Sequence, residues 1–260
     1  MKHLELQFES GVARVVLNRP EVRNAFNDEV IAELTAVFGE LAARDEVRCI
    51  VLTGNGPAFC AGADLHWMQR MAGYTHEENL ADAAGLAHML RVIYRCPKPT
   101  IARVQGDVYA GGTGLVAACD MAVSVDTAQY CLSEVKLGLI PATVSPYVIR
   151  AMGARAAHRY FLTAERFSAA EAHRIGLVHE VGAAGELDGK VAAMAQALVQ
   201  AGPAAVKASK QLVHDVAGRD ISQLVIDDTA RRIADIRVSD EGREGIQAFL
   251  AKRKAAWLGG

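Results

Sequence analysis

Apolar and polar residues alternate from Leu4 to Glu9 and again from Val12 to Leu17, which predicts two strands joined by a turn at Ser10-Gly11. Arg19-Pro20 ends that pair. Beyond it Ile31, Leu34, Val37, Phe38 and Leu41 recur at helical spacing behind Asn27, a residue able to cap a helix. Cys49 to Thr53 is a continuous apolar run of buried-strand type, cut by Gly54-Asn55-Gly56-Pro57. A helix is predicted over His76 to Arg95, ended by Pro97 and Pro99, and strands over Thr100–Val104, Met121–Val125 and Ala128–Leu132. After Ala201 the strand signal stops. Pro203–Val216, Ile221–Ile236 and Asp240–Lys254 all read as helices, dividing the chain into a core over 1–200 and a helical region over 201–260. Apolar positions there such as Leu224, Val225 and Ile233 are more than one compact domain is expected to cover.

With 260 residues the chain can bury a full core. The 28 basic and 30 acidic side chains nearly cancel, so no global positive field favours nucleic acid or an anionic membrane. Cys49, Cys60, Cys96, Cys119 and Cys131 are scattered in apolar surroundings without a Cys-x-x-Cys pair, which argues against a disulfide framework or a zinc site. His76, His88, His158, His173, His179 and His214 have no metal-ligand spacing, so no metal is expected. No export signal or membrane span is visible, and a reducing cytoplasm is the expected location.

Two short stretches carry the chemistry: Phe59-Cys60-Ala61-Gly62-Ala63-Asp64-Leu65 and Ala110-Gly111-Gly112-Thr113-Gly114. A Gly-Gly pair alone reads as a tight turn or close helix packing. Together the two stretches point to an anion site, with the N–H groups near Ala63 and Gly111 aimed at one oxygen. The helix predicted from Gly111 to Cys119 adds a favourable dipole. Neither stretch has the Gly-Lys-Ser/Thr ending or the dinucleotide spacing of a phosphate loop.

Around these motifs the chain resembles the crotonase family of enoyl-CoA hydratases and isomerases over nearly its whole length. The resemblance starts at Leu17-Asn18-Arg19-Pro20 and Arg23-Asn24-Ala25 and continues through Cys119-Asp120 and Leu132-Ser133-Glu134-Val135 to Pro141. It extends to Ala170-Glu171-Ala172, Gly176-Leu177-Val178, Glu241-Gly242 and Ala248-Phe249. It implies an α/β fold, a spiral of strand-strand-helix turns with a C-terminal helical appendage. It also implies a homo-trimer or a dimer of trimers, and no cofactor beyond the CoA carried by the substrate.

By the same resemblance the amides of Ala63 and Gly111 hold a thioester oxygen, and Glu134 serves as acid and base. A lone Glu is ordinarily a solvated surface residue; only the family register singles this one out. Ala61, Ala63, Asp64, Leu65 and His66 would border the CoA thioester with Gly111 and Gly114, and Arg23 would reach the CoA phosphates. His66 taken alone reads as a surface group, and Trp67, Met68 and Met71 as core or as an apolar wall. Hydratases of the family commonly use two glutamates, and the first falls on Gly114 here, which has no side chain. Asp120 is expected to anchor a loop. The implied function is reversible hydration of an enoyl-CoA, with Ala61 to Met68, Leu132 to Val135 and Pro141 to Tyr147 looking like the bacterial branch that hydrates 3-methylglutaconyl-CoA or its isohexenyl analogue. An isomerase using Glu134 alone and a catalytically silent CoA-binding protein remain as alternatives.

Overall fold

The computed structural model describes residues 1–259. Strands β1 (Leu4–Glu9) and β2 (Val12–Leu17) form an antiparallel hairpin, followed by helix α1 (Asp28–Ala43). Asn27 caps α1 by accepting the Val30 N–H at 3.0 Å, and the predicted stripe Ile31, Leu34, Val37, Phe38 and Leu41 is buried. Next come β3 (Cys49–Gly54), β4 (Ala58–Cys60), the short α2 (Leu65–Met71) and α3 (His76–Arg95). Then follow β5 (Thr100–Val104), β6 (Asp107–Tyr109), α4 (Gly111–Ala118), β7 (Met121–Val125), β8 (Gln129–Cys131) and α5 (Ser145–Thr163). The core closes with β9 (Phe167–Ser168), α6 (Ala169–Arg174), β10 (Glu180–Gly182) and α7 (Leu187–Gln200), and the chain continues into α8 (Pro203–Val216), α9 (Gln223–Val238) and α10 (Asp240–Leu250).

The strands divide between two sheets. The larger has the order β1-β2-β3-β5-β7-β10 and is parallel beyond its first hairpin; the smaller has the order β4-β6-β8-β9. Each turn of the chain therefore lays one strand in the large sheet and the next, shorter one in the small sheet: β3 then β4, β5 then β6, β7 then β8. This is the expected strand-strand-helix spiral. Its consequence is positional, because the segments that leave β4, β6 and β8 come from three distant stretches of sequence and emerge side by side.

Helix α8 is tied to the core by polar contacts and by His214 packing edge-on against Tyr94 of α3. Lys210 on α8 donates to an Asp120 carboxylate oxygen at 2.7 Å and to the Lys98 carbonyl at 3.1 Å. That same carboxylate oxygen accepts the Thr100 N–H at 2.7 Å and its hydroxyl at 3.0 Å, so Asp120 anchors the start of β5 and the α8 helix together. The free N–H groups at the start of α8 are satisfied from a distance by the Glu241 carboxylate, which accepts from Ala204 and Ala205 at 2.9 and 2.8 Å. Leu224 and Ile233 are exposed, as expected, whereas Val225 is buried within its own chain. Helix α10 ends at Leu250 rather than running to Lys254. Lys252 takes a φ of 52° there, and the Arg253 N–H turns back to the Ala248 carbonyl at 3.0 Å. No helix among the described residues is long and apolar enough to cross a membrane.

Candidate active site

Residues 61–64 leave β4 and run beside the loop that carries Phe26. Ala61 donates to the Arg23 carbonyl at 2.9 Å, Phe26 donates to the Gly62 carbonyl at 2.9 Å, and Asp64 donates to the Phe26 carbonyl at 3.0 Å. These bonds place Phe26 opposite Ala63 in a short parallel bridge. The Ala63 N–H has no acceptor among the described residues. The loop that supplies the partners is itself pinned. Arg23 and Asn24 both adopt left-handed backbone, and the buried Asn24 amide donates to the Asn55 and Ala58 carbonyls at 2.8 and 2.9 Å.

Gly111 opens α4 after a strained turn. Ala110 has φ 47° and ψ −119°, a conformation costly for a residue with a Cβ, on the order of 1–3 kcal/mol. Its N–H donates to the Cys131 carbonyl at 2.8 Å, which ties the exits of β6 and β8 together. The Gly62 backbone abuts this turn: a Cβ at Gly62 would stand 3.1 Å from the Ala110 Cβ and 3.2 Å from the Tyr109 carbonyl oxygen. The Gly111 N–H, like that of Ala63, has no acceptor among the described residues. The structure thus brings two unpaired N–H groups from distant motifs to adjoining loops, one of them at a helix N-terminus.

Glu134 begins a single 3-10 turn (Glu134–Leu137) just beyond β8. The turn is closed by Gly138 at φ 73° and by the Leu139 N–H donating to the Glu134 carbonyl at 3.1 Å. Its carboxylate oxygen Oε2 is buried without a hydrogen-bond partner, and burial pushes the carboxyl above its ordinary value. Leu137 at the end of this turn and Leu139 and Ile140 just beyond it are exposed, an apolar lip. A half-buried carboxylate with one oxygen unpartnered is costly to fold around; such groups concentrate where proton transfer is needed.

Two residues expected to border a ligand are engaged elsewhere. Asp64 is buried: one oxygen caps α2 by accepting from His66 and Trp67 at 2.8 and 3.2 Å, and the other pairs with Arg19 at 2.9 Å. Burial alone would raise its carboxyl, but Arg19 and the two helix N–H groups outweigh it and hold it below the ordinary carboxylate range. These bonds make Asp64 the residue that fixes the loop. Gly114 is a packing position, since a Cβ there would lie 2.4 Å from Val144 Cγ1 and 3.6 Å from Leu90 Cδ2. Trp67 is buried with its indole N–H on Asp82 at 2.9 Å, which makes it core.

The remaining predicted positions stay on the surface side of the site. Leu65 and His66 are exposed on the first turn of α2. Arg23 and Ala61 line one cleft of about 230 Å³ together with Pro57, Ala58, Asp107 and Tyr109. Phe26 is the residue that sequence reasoning missed, because an aromatic beside Ala25 reads as ordinary core.

Two unpaired N–H groups on adjoining loops, with a half-buried carboxyl on the neighbouring strand exit, are the parts from which a site that stabilises an enolate and moves a proton beside it can be built. The enoyl-CoA hydratase/isomerase family model matches residues 7–260, and the chain belongs to that family. A crystal structure of an enoyl-CoA hydratase from Shewanella pealeana is 42% identical with a TM-score of 0.95, covering 98% of this chain and 96% of that one. An enoyl-CoA hydratase from Mycobacterium smegmatis is 35% identical with a TM-score of 0.92, over 98% and 99% of the two chains. Pseudomonas aeruginosa AtuE is likewise 35% identical, with a TM-score of 0.93 and the same coverage.

Proposed function

We propose that this protein adds water reversibly across the 2,3 double bond of an enoyl-CoA thioester, and that its substrate is a branched glutaconyl-CoA carrying its own distal carboxylate. The observation that carries the reading is Glu134, whose Oε2 is buried and unpartnered in a chain of this family.

Hydration puts an oxygen on C3 and a proton on C2, and while it proceeds the thioester oxygen takes up negative charge. The Ala63 and Gly111 N–H groups hold that oxygen; one such donor contributes about 3 kcal/mol in comparable sites. Glu134 as carboxylate accepts a proton from the attacking water and, as the acid so formed, delivers a proton to C2. One carboxyl is thereby returned to its starting state. Val144 and Leu90 fill the space in front of Gly114, so position 114 supplies no carboxylate to steer the water. A carboxylate on the substrate supplies that role, which supports the glutaconyl class alongside the resemblance of 61–68, 132–135 and 141–147.

The same absence at Gly114 favours one competing reading, an isomerase in which Glu134 carries a proton from one carbon to another. Product mass after turnover of 3-methylglutaconyl-CoA in ¹⁸O-labelled water separates the two. Hydration incorporates the label; isomerisation moves the double bond without it; and 3-methylglutaconyl-CoA and crotonyl-CoA both left unchanged favour a silent CoA-binding protein.

A further inference from the structure

We infer that Phe26 is a positioning residue that sets the separation between the two oxyanion donors, an inference that rests on the reading of Ala63 and Gly111 as those donors. Its backbone brackets Ala63, donating to the Gly62 carbonyl at 2.9 Å and accepting the Asp64 N–H at 3.0 Å. Its ring meets the other donor. A Cβ at Gly111 would stand 2.3 Å from Phe26 Cζ and 2.9 Å from Cε1, so the ring edge lies directly against the Gly111 Cα. One residue thus touches both loops, with its main chain on one and its side chain on the other.

The strands beneath do not fix this separation as tightly. β4 and β6 pair at only two positions, and the register shifts between Ala58 and Cys60. Phe26, in contrast, is held from three sides. Its side chain is buried and tilts against Trp67, with ring centroids 5.9 Å apart. Arg19 donates to the Ala25 carbonyl at 2.6 Å and to Asp64 at 2.9 Å, clamping the residue before Phe26 to the residue after Ala63. Trp67 is itself fixed through Asp82 and the Asp64 cap. A rigid aromatic in this frame acts as a spacer, and a donor displaced by about 1 Å costs on the order of 100-fold in rate.

The test is a double-mutant cycle on the full-length enzyme, with kcat and KM for an enoyl-CoA and the infrared carbonyl stretch of bound butyryl-CoA, a saturated thioester that does not react. Phe26→Leu removes the Cε and Cζ atoms and should lower kcat by about 10- to 100-fold with KM changed far less, while the carbonyl stretch moves back toward that of free thioester. Gly111→Ala alone drives a methyl into the ring and should cost more. In the double variant the ring atoms are gone, and activity should recover by about 10-fold or more over Gly111→Ala. Should Phe26→Leu fail to fold, Phe26→Tyr lengthens the spacer at Cζ and is expected to show the same kcat loss and carbonyl shift. Folded Phe26 variants with wild-type kcat and an unchanged carbonyl stretch, or multiplicative effects in the cycle, overturn the spacer role. A wild-type enzyme that leaves the thioester carbonyl unshifted overturns the underlying oxyanion reading instead.

Discussion

Val144 stands directly in front of Gly114, with its Cγ1 2.4 Å from where a Cβ at that position would be. A valine at the start of α5 therefore fills the volume that a longer residue at position 114 would need. Gly114→Ala should overpack this contact and destabilise the protein by about 1–3 kcal/mol, read as a lower Tm. Adding Val144→Ala should return most of that loss. Full stability of the single variant would show that α4 and α5 separate more readily than their packing indicates.

Glu134→Gln keeps the shape of the side chain and removes its titration. Turnover should fall by about 100-fold or more with CoA-ester binding nearly unchanged. Acting first as a base, Glu134 must be ionised, so kcat/KM of the wild type should fall on the acid side with a midpoint above the ordinary 4.5. A variant with wild-type turnover removes Glu134 from the mechanism.

The same carboxyl makes a stability prediction of definite sign. Burial raises its folded-state pKa, so the native state binds the proton more tightly than the unfolded chain does. Stability is then lost as pH rises from 4.5 through the raised value. Glu134→Gln should be more stable than wild type near neutral pH, with the advantage shrinking in acid. Identical Tm values across that range would mean the carboxylate is solvated in solution.

Much of this architecture could be read from periodicity. The long strands of the large sheet, α1, α3, α4 and the three C-terminal helices have apolar runs or stripes long enough to be read. β4 and β6 do not, at three residues each, and α2 has a single buried residue, Trp67. α5 was obscured by Gly153, whose φ of 78° interrupts the helix internally. At the site, small residues marked the two donor loops, and family register marked Glu134. The roles of Asp64 and Gly114 depend on partners far away in sequence, Arg19 and Val144, which no local pattern links to them.

Lys210 is the polar tether of α8. Lys210→Met should lower Tm by an amount corresponding to about 1–3 kcal/mol and speed hydrogen exchange in α8, because Asp120 keeps only its Thr100 partners. Unaltered exchange would assign the docking of α8 to apolar contacts alone.

The exposed Leu224 and Ile233 offer apolar surface for association, and the family resemblance sets the proposed state as a trimer or a dimer of trimers. Light scattering at micromolar concentration should report three or six chains. A clean monomer would contradict the proposal.

In the proposed reaction a carboxylate of the substrate directs the water, in the absence of one at position 114. Comparison of kcat/KM for 3-methylglutaconyl-CoA and crotonyl-CoA, with product mass followed in ¹⁸O-labelled water, tests it most directly. The charged substrate should be hydrated efficiently and the uncharged one poorly. Equal kcat/KM values for the two, or rapid double-bond migration without label uptake, would contradict the account.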